Sequence, residues 1–192
     1  MSTQKRIVIT GGSGFIGAHF CHQLKARGDE VIILDLIEPS SDIPHDRFVQ
    51  GDIRDEAAVR EAFEGCDEIL HMAAAHHDFG IEEQTYFDVN EDGLRVMTGV
   101  MDELGVRRII FYSTAAVYGS ATPPLSEETP PQPESFYGKY IGGIINIDLS
   151  EIIRFGGVNN ENHILGGIAD YDDGIGIVGG ANQIIRLSKK LP

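Results

Sequence analysis

The segment Thr10-Gly11-Gly12-Ser13-Gly14-Phe15-Ile16-Gly17 restricts the possible folds of this chain more than any other. It follows the β-branched run 6–10 and opens a stretch in which Ile16, Phe20 and Leu24 recur every four positions, so it reads as the turn between a strand and an amphipathic helix. In such a turn Gly11 permits the tight reversal, Gly14 lets backbone come close to a pyrophosphate, and Gly17 lets the helix pack on the sheet. The free N–H groups and positive end of the helix then face an anion. Asp35 ends the next β-branched run eighteen positions after Gly17, where its carboxylate is placed to accept hydrogen bonds from an adenosine ribose. Leu36-Ile37-Glu38 brings no cation to neutralise a 2′-phosphate, which a carboxylate repels. The expected cofactor is therefore NAD and not NADP.

The rest of the first 140 residues repeats this alternation. Strands are expected at 6–10, 30–35, 47–50, 68–72 and 108–113, and helices at 15–27, 56–64 and 83–104, the last breaking near 90–93. Gly28, Gly65 and Gly105 are the expected helix stops, and Asp55 the cap of the second helix. The fold class that follows is α/β: a doubly wound parallel sheet of order 3-2-1-4-5 with room for a sixth strand, and the ligand across the carboxyl ends of the strands. A proline-rich loop over 119–135 reads as an ordered surface excursion. From 141 onward the composition changes to twelve Ile and ten Gly in 52 residues. The glycine pairs at 142–143, 156–157, 166–167 and 179–180 are expected as turns between short buried strands. The division expected is a dinucleotide-binding domain over 1–140 and an atypical Ile/Gly-rich segment over 141–192.

Thirty acidic against fifteen basic side chains give a net charge of -15, a field that repels nucleic acid and anionic lipid. No apolar run is long enough for a membrane span or a signal h-region, so a cytoplasmic location is expected. Cys21 and Cys66 are in no metal or redox spacing and read as buried free thiols.

Further motifs stand in order along the chain: Gly51-Asp52-Ile53-Arg54-Asp55, His71-Met72-Ala73-Ala74-Ala75, Asn90, Ser113-Thr114-Ala115-Ala116-Val117-Tyr118-Gly119 and Tyr137-Gly138-Lys139. With the glycine turn, they resemble the extended short-chain dehydrogenase/reductase family, and within it the nucleotide-sugar epimerases and dehydratases, over about the first 140 positions. The resemblance implies that Gly11, Gly14, Phe15, Ile16, Gly17, Asp35 and Asn90 belong to an NAD site, with Asp52 and Ile53 beside the adenine. Ala73, Ala74 and Ala75 would line the pyrophosphate and nicotinamide ribose. It also implies that Thr114 and Tyr137 form a hydroxyl pair, the tyrosine taking a proton from a sugar hydroxyl as hydride leaves the same carbon for NAD. The implied substrate is a UDP- or dTDP-hexose, and relatives commonly form homodimers through the helix over 83–104 and the tyrosine helix.

The chain departs from that pattern in two places. Family members carry a lysine four residues after the tyrosine, where it bonds the nicotinamide ribose and lowers the phenol pKa; here that position is Ile141. Lys139 is no obvious substitute, because two residues along a helix point about 200° away, whereas four return to within about 40°. A phenol of pKa about 10 is ionised to only about one part in a thousand at pH 7, so catalysis by Tyr137 is expected to be slowed by about two to three powers of ten. NAD's positive ring or a rearranged Lys139 would be needed to restore the charge. The second departure is length, since relatives add a sugar-binding part well beyond 52 residues. Residues 152–158 faintly resemble the family's sixth strand and its exit loop.

The leading expectation is an NAD-dependent epimerase or dehydratase impaired at Ile141. The alternatives are a catalytically silent NAD-binding module and a dehydrogenase of small alcohols or ketones. His71, His76 and His77 lack the partners of a metal set, so no metal is expected, and His76 or His77 is a candidate to face substrate. Glu127 and Glu128 read as solvated loop charges.

Overall fold

The computed structural model describes residues 4–76, 80–112, 114–123, 125, 129–143, 176–179 and 183–185. Its strands are β1 (Arg6–Thr10), β2 (Glu30–Asp35), β3 (Arg47–Gln50), β4 (Glu68–His71), β5 (Ile109–Phe111), β6 (Gly176–Gly179) and β7 (Gln183–Ile185). They form one sheet of order β3-β2-β1-β4-β5-β6-β7, parallel throughout except for the β6–β7 pair. The first five strands have the order read from the sequence, with β1 beside β4 through Ile7↔Glu68 to Thr10↔His71.

Near-continuous apolar runs form β1 and β2 because both faces are covered there. Side chains alternate across the sheet, and the two sets enter separate cores. Val8, Ile32, Leu34 and Ile69 pack with α2 (Glu56–Phe63) and α4 (Gly93–Leu104), through Val59, Phe63, Met97 and Met101. Ile7, Ile9, Val31, Ile33 and Leu70 pack on the other face with Cys21 and Leu24 of α1 (Phe15–Arg27). The result is the doubly wound layering expected. Cys21 and Cys66 are both free and buried, and burial pushes their thiols up to about 11 and about 12.

Helix ends follow local chemistry. Asp55 caps α2 by accepting the Ala57 N–H at 3.0 Å, and Gly28 closes α1 at φ 94°, where a side chain would be strained. The expected break in the long helix is a change of winding: α3 (Glu83–Tyr86) passes into a π-helical turn, Phe87–Asp92, before α4. Helix α5 (Phe136–Gly143) starts at Ser135, whose hydroxyl accepts the Gly138 N–H at 3.0 Å. This helix runs across the expected division at 140, and Gly142 and Gly143 are its last residues instead of a turn between strands. Helix bonding of the backbone takes precedence there over glycine's preference for turns. The strand expected at 152–158 and the pairs at 156–157 and 166–167 lie outside the described residues. Among the described residues, no helix is long and apolar enough to cross a membrane.

Candidate cofactor cleft and hydroxyl pair

The two βα turns at the carboxyl ends of β1 and β4 face each other, with the end of β2 alongside. Gly11 sits at φ 73°, and a Cβ there would lie 2.8 Å from the Ala73 nitrogen, so glycine is required by both conformation and space. A Cβ on Gly17 would lie 2.5 Å from the Gly11 carbonyl, the close helix–turn contact that the motif exists to allow. The first N–H groups of α1, including those of Phe15 and Ile16, have no partner within the helix, and Gly14 supplies no side-chain cap. These donors therefore remain available to an anion. The Phe15 side chain is 82% exposed and that of Ile16 51%.

A cleft of about 680 Å³ opens beside this turn, lined by Gly11, Gly14, Asp35, Asp52, Ile53 and Ala73–Ala75 among others. At the end of β2, Asp35 accepts the Ser13 N–H at 3.0 Å and the Ile37 N–H at 3.1 Å. The Ser13 hydroxyl donates to the Ile37 carbonyl at 2.6 Å, joining the glycine turn to the loop after β2. Across the cleft, Arg54 grips Asp52 through two guanidinium bonds, Nε to Oδ1 at 2.9 Å and a terminal nitrogen to Oδ2 at 2.6 Å. The Arg54 guanidinium holds the Asp52 carboxyl below the usual carboxylate range against the opposing effect of burial. Asn90, grouped with the cofactor contacts on the sequence, does not line the cleft. It is buried in the π-helical turn, with its amide on the backbone of Ala75.

Beyond β5, Thr114 caps the short 3-10 turn Ala115–Tyr118 by accepting the Ala116 N–H at 3.2 Å. Its hydroxyl stands near enough to the Tyr137 phenol to lower that phenol's pKa. The pair meets because α5 lies unusually close to that turn: a Cβ on Gly138 would stand 2.5 Å from the Ala116 carbonyl. Burial raises the Tyr137 pKa, and the neighbouring Thr114 hydroxyl partly opposes it; among the described residues no charged group contributes. Ile141, one helical turn on, is 1% exposed and lies in the core. Lys139 points elsewhere, its Nζ 3.0 Å from Glu83 Oε1, which also accepts the Tyr140 hydroxyl at 2.9 Å. The cation nearest in sequence to position 141 is thus held by α3.

The profile of the NAD dependent epimerase/dehydratase family matches residues 7–150. This chain belongs to that family. A UDP-glucose 4-epimerase of Lacticaseibacillus casei is 37% identical over 145 residues, which are 69% of this chain and 43% of that one. Among solved structures, the UDP-glucose 4-epimerase of Thermus thermophilus in complex with NAD matches at TM-score 0.68 and 29% identity, covering 77% of this chain and 51% of that one. A double mutant of DesIV, a dTDP-glucose 4,6-dehydratase from Streptomyces venezuelae with NAD and DAU bound, matches at TM-score 0.66 and 35% identity, covering 72% of this chain and 48% of that one. The chain spans about half the length of the relatives it matches.

Members of this epimerase/dehydratase family use NAD, and the cleft fits it: anion donors at α1, glycines where backbone must approach, and an acceptor at the end of β2. Other features of the site were not foreseen from the sequence. Ser13 braces two loops, Arg54 occupies Asp52, and Ser135 with Gly138 aims Tyr137. A serine inside the glycine turn and a serine three residues before Gly138 were the available signals. His71 is buried on Thr10, its Nδ1 2.7 Å from the hydroxyl, while His76 is exposed. Ser113, His77, Glu127 and Glu128 lie outside the described residues. Among the described residues, no three metal-ligating side chains converge.

Proposed function

We propose that this chain carries the cofactor-binding and acid/base part of an NAD-dependent epimerase or dehydratase of nucleotide sugars of the UDP- or dTDP-hexose class. The approach of the Thr114 hydroxyl to the Tyr137 phenol, in a chain that also holds the dinucleotide cleft, supports the reading. Tyr137 takes the proton from a sugar hydroxyl and later returns it, and Thr114 orients that hydroxyl while hydrogen-bonding the phenolate. Bound NAD supplies a reversible hydride acceptor. The glycine turn and the first N–H groups of α1 hold the pyrophosphate, Asp35 the ribose, and Asp52 and Ile53 the adenine.

Turnover is slow in this reading, because burial keeps the Tyr137 phenol protonated and Ile141 supplies no charge to offset it. A second reading, an NAD-binding module without turnover, is supported by the same uncompensated phenol. Ile141→Lys separates the two. A panel of UDP- and dTDP-hexoses incubated with NAD is expected to give slow epimer or keto-sugar formation, rising about a hundredfold in the variant. No product from either protein would remove the enzyme reading. NADH accumulation from small alcohols without epimerisation would instead support a dehydrogenase. A cytoplasmic, homodimeric protein with no nucleic-acid partner completes the proposal, supported by the net charge of -15 and the absence of a membrane-length helix among the described residues.

A further inference from the structure

Residues 72–75 line one wall of the cleft without belonging to a strand or helix. Backbone of this kind keeps its place only where its polar groups are tied. Two buried side chains tie it from opposite ends. At the first end the Thr10 hydroxyl oxygen accepts the Ala73 N–H at 3.3 Å and shares the Met72 N–H, at 3.2 Å, with the Thr10 carbonyl at 3.1 Å. Both of its lone pairs are then occupied, so its own proton goes to His71 Nδ1, 2.7 Å away, and the imidazole carries its proton on Nε2. Thr10 and His71 are 0% and 1% exposed, so water cannot replace these bonds.

At the other end Asn90 grips Ala75 in both directions. Its Oδ1 accepts the Ala75 N–H at 2.8 Å, and its Nδ2 donates to the Ala75 carbonyl at 3.0 Å. Asn90 is 1% exposed and lies within the π-helical turn Phe87–Asp92, the place where the long helix leaves α winding. Such turns persist where a side-chain contact compensates their poorer geometry, and they recur at functional sites. Ala73, held at the first grip, is also where the wall comes closest to the glycine turn: its nitrogen would lie only 2.8 Å from a Cβ on Gly11.

We infer that the Thr10 hydroxyl and the Asn90 carboxamide are positioning groups, a two-point clamp that holds wall 72–75 at the distance from the glycine turn that a bound dinucleotide requires. The inference deepens the cofactor part of the proposed function and rests on that reading for its ligand, while the clamp itself stands on the geometry above. Neither side chain needs to touch the cofactor.

The test combines backbone amide hydrogen exchange with calorimetric NAD titration on the full chain, comparing wild type, Thr10→Ser, Thr10→Val and Asn90→Leu. Protected amides at Ala73 and Ala75 are expected in the wild type. Thr10→Ser keeps the hydroxyl and should hold the NAD Kd within about twofold, whereas Thr10→Val exposes Ala73 to exchange and weakens NAD at least about tenfold. Asn90→Leu should do the same through Ala75. Wild-type affinity in a variant whose Ala73 or Ala75 amide has lost protection overturns the inference, as does a Thr10→Ser that binds no better than Thr10→Val. Should the apolar variants fail to fold, nitrogen NMR of the wild type decides: a bare His71 Nδ1 with protonated Nε2 supports the clamp, and a protonated Nδ1 refutes it. If the wild type binds no NAD, the cofactor reading fails. Protection at Ala73 and Ala75 that the two apolar variants abolish would still support the clamp in that case.

Discussion

His71→Asn is expected to separate one buried histidine's contribution to acid unfolding from all the others. The imidazole lies at the end of β4 and is 1% exposed, and burial lowers its pKa from 6.5 to about 4. The fold therefore holds the neutral form, and the unfolded chain binds the extra proton first. Stability linked to this group is fully present above the unfolded value of 6.5 and is lost as pH falls through about 4. The interval from 6.5 down to about 4, at about 1.36 kcal/mol per pH unit and only partly traversed at about pH 4.5, gives a loss of about 2–3 kcal/mol between about pH 7.5 and about pH 4.5. Asparagine can present an acceptor to the Thr10 hydroxyl but does not titrate. At about pH 7.5 the variant should be the less stable, because a buried ring has been removed. Urea unfolding at the two pH values should show that gap shrinking by about 2–3 kcal/mol as pH falls, while carboxylates such as Asp46 and Asp52 affect both proteins alike. A gap constant to within about 0.5 kcal/mol would refute a neutral, desolvated His71.

Other substitutions probe the backbone contacts. Gly17→Ala places a Cβ 2.5 Å from the Gly11 carbonyl, so α1 must move; NAD affinity measured by calorimetry should fall more than about tenfold, and stability by about 1–3 kcal/mol. Gly138→Ala, with its Cβ 2.5 Å from the Ala116 carbonyl, should part Tyr137 from Thr114, abolishing product formation while the NAD Kd stays within about threefold. Ile141→Lys buries a charge at a position 1% exposed and should lower stability by about 2–4 kcal/mol in urea even as it raises turnover.

The parallel sheet was legible because its information is local. β1 and β2 are apolar runs with a glycine turn or helix stop close by, so Ile7 to Thr10, Gly11 and Gly28 announce the first βαβ unit from local sequence. Gly11, Gly14, Asp35 and Ala73–Ala75 could be named for the same reason, since the cleft is built from the first residues after strands. Other positions take their places from contacts distant in sequence. Asn90 carries an amide suited to a ligand, but its partner is Ala75, fifteen residues back, and only a π-helical turn brings them together. Lys139, two residues after Tyr137, is no substitute for the missing lysine, as its helical position implied, and Glu83, fifty-six residues earlier, holds its ammonium.

These differences imply that the two halves of the site tolerate change unequally. The cofactor cleft rests on close backbone approaches at Gly11 and Gly17, where a Cβ would stand under 3 Å from neighbouring backbone, and on hydrogen bonds inside the core. The proposed acid/base pair is held by α5 against the turn at 115–118, and in that proposal its chemistry depends on whether a cation stands one helical turn from Tyr137. Replacing that cation by Ile141 satisfies the core and leaves the phenol above its ordinary range, a change favourable to packing and adverse to proton transfer. Activity in the wild type should consequently keep rising with pH, about tenfold per unit through the neutral range, because the fraction of phenolate does so. In Ile141→Lys the same profile should level off at lower pH. A plateau near neutrality in the wild type would mean that Tyr137 is not the base or that another charge reaches it.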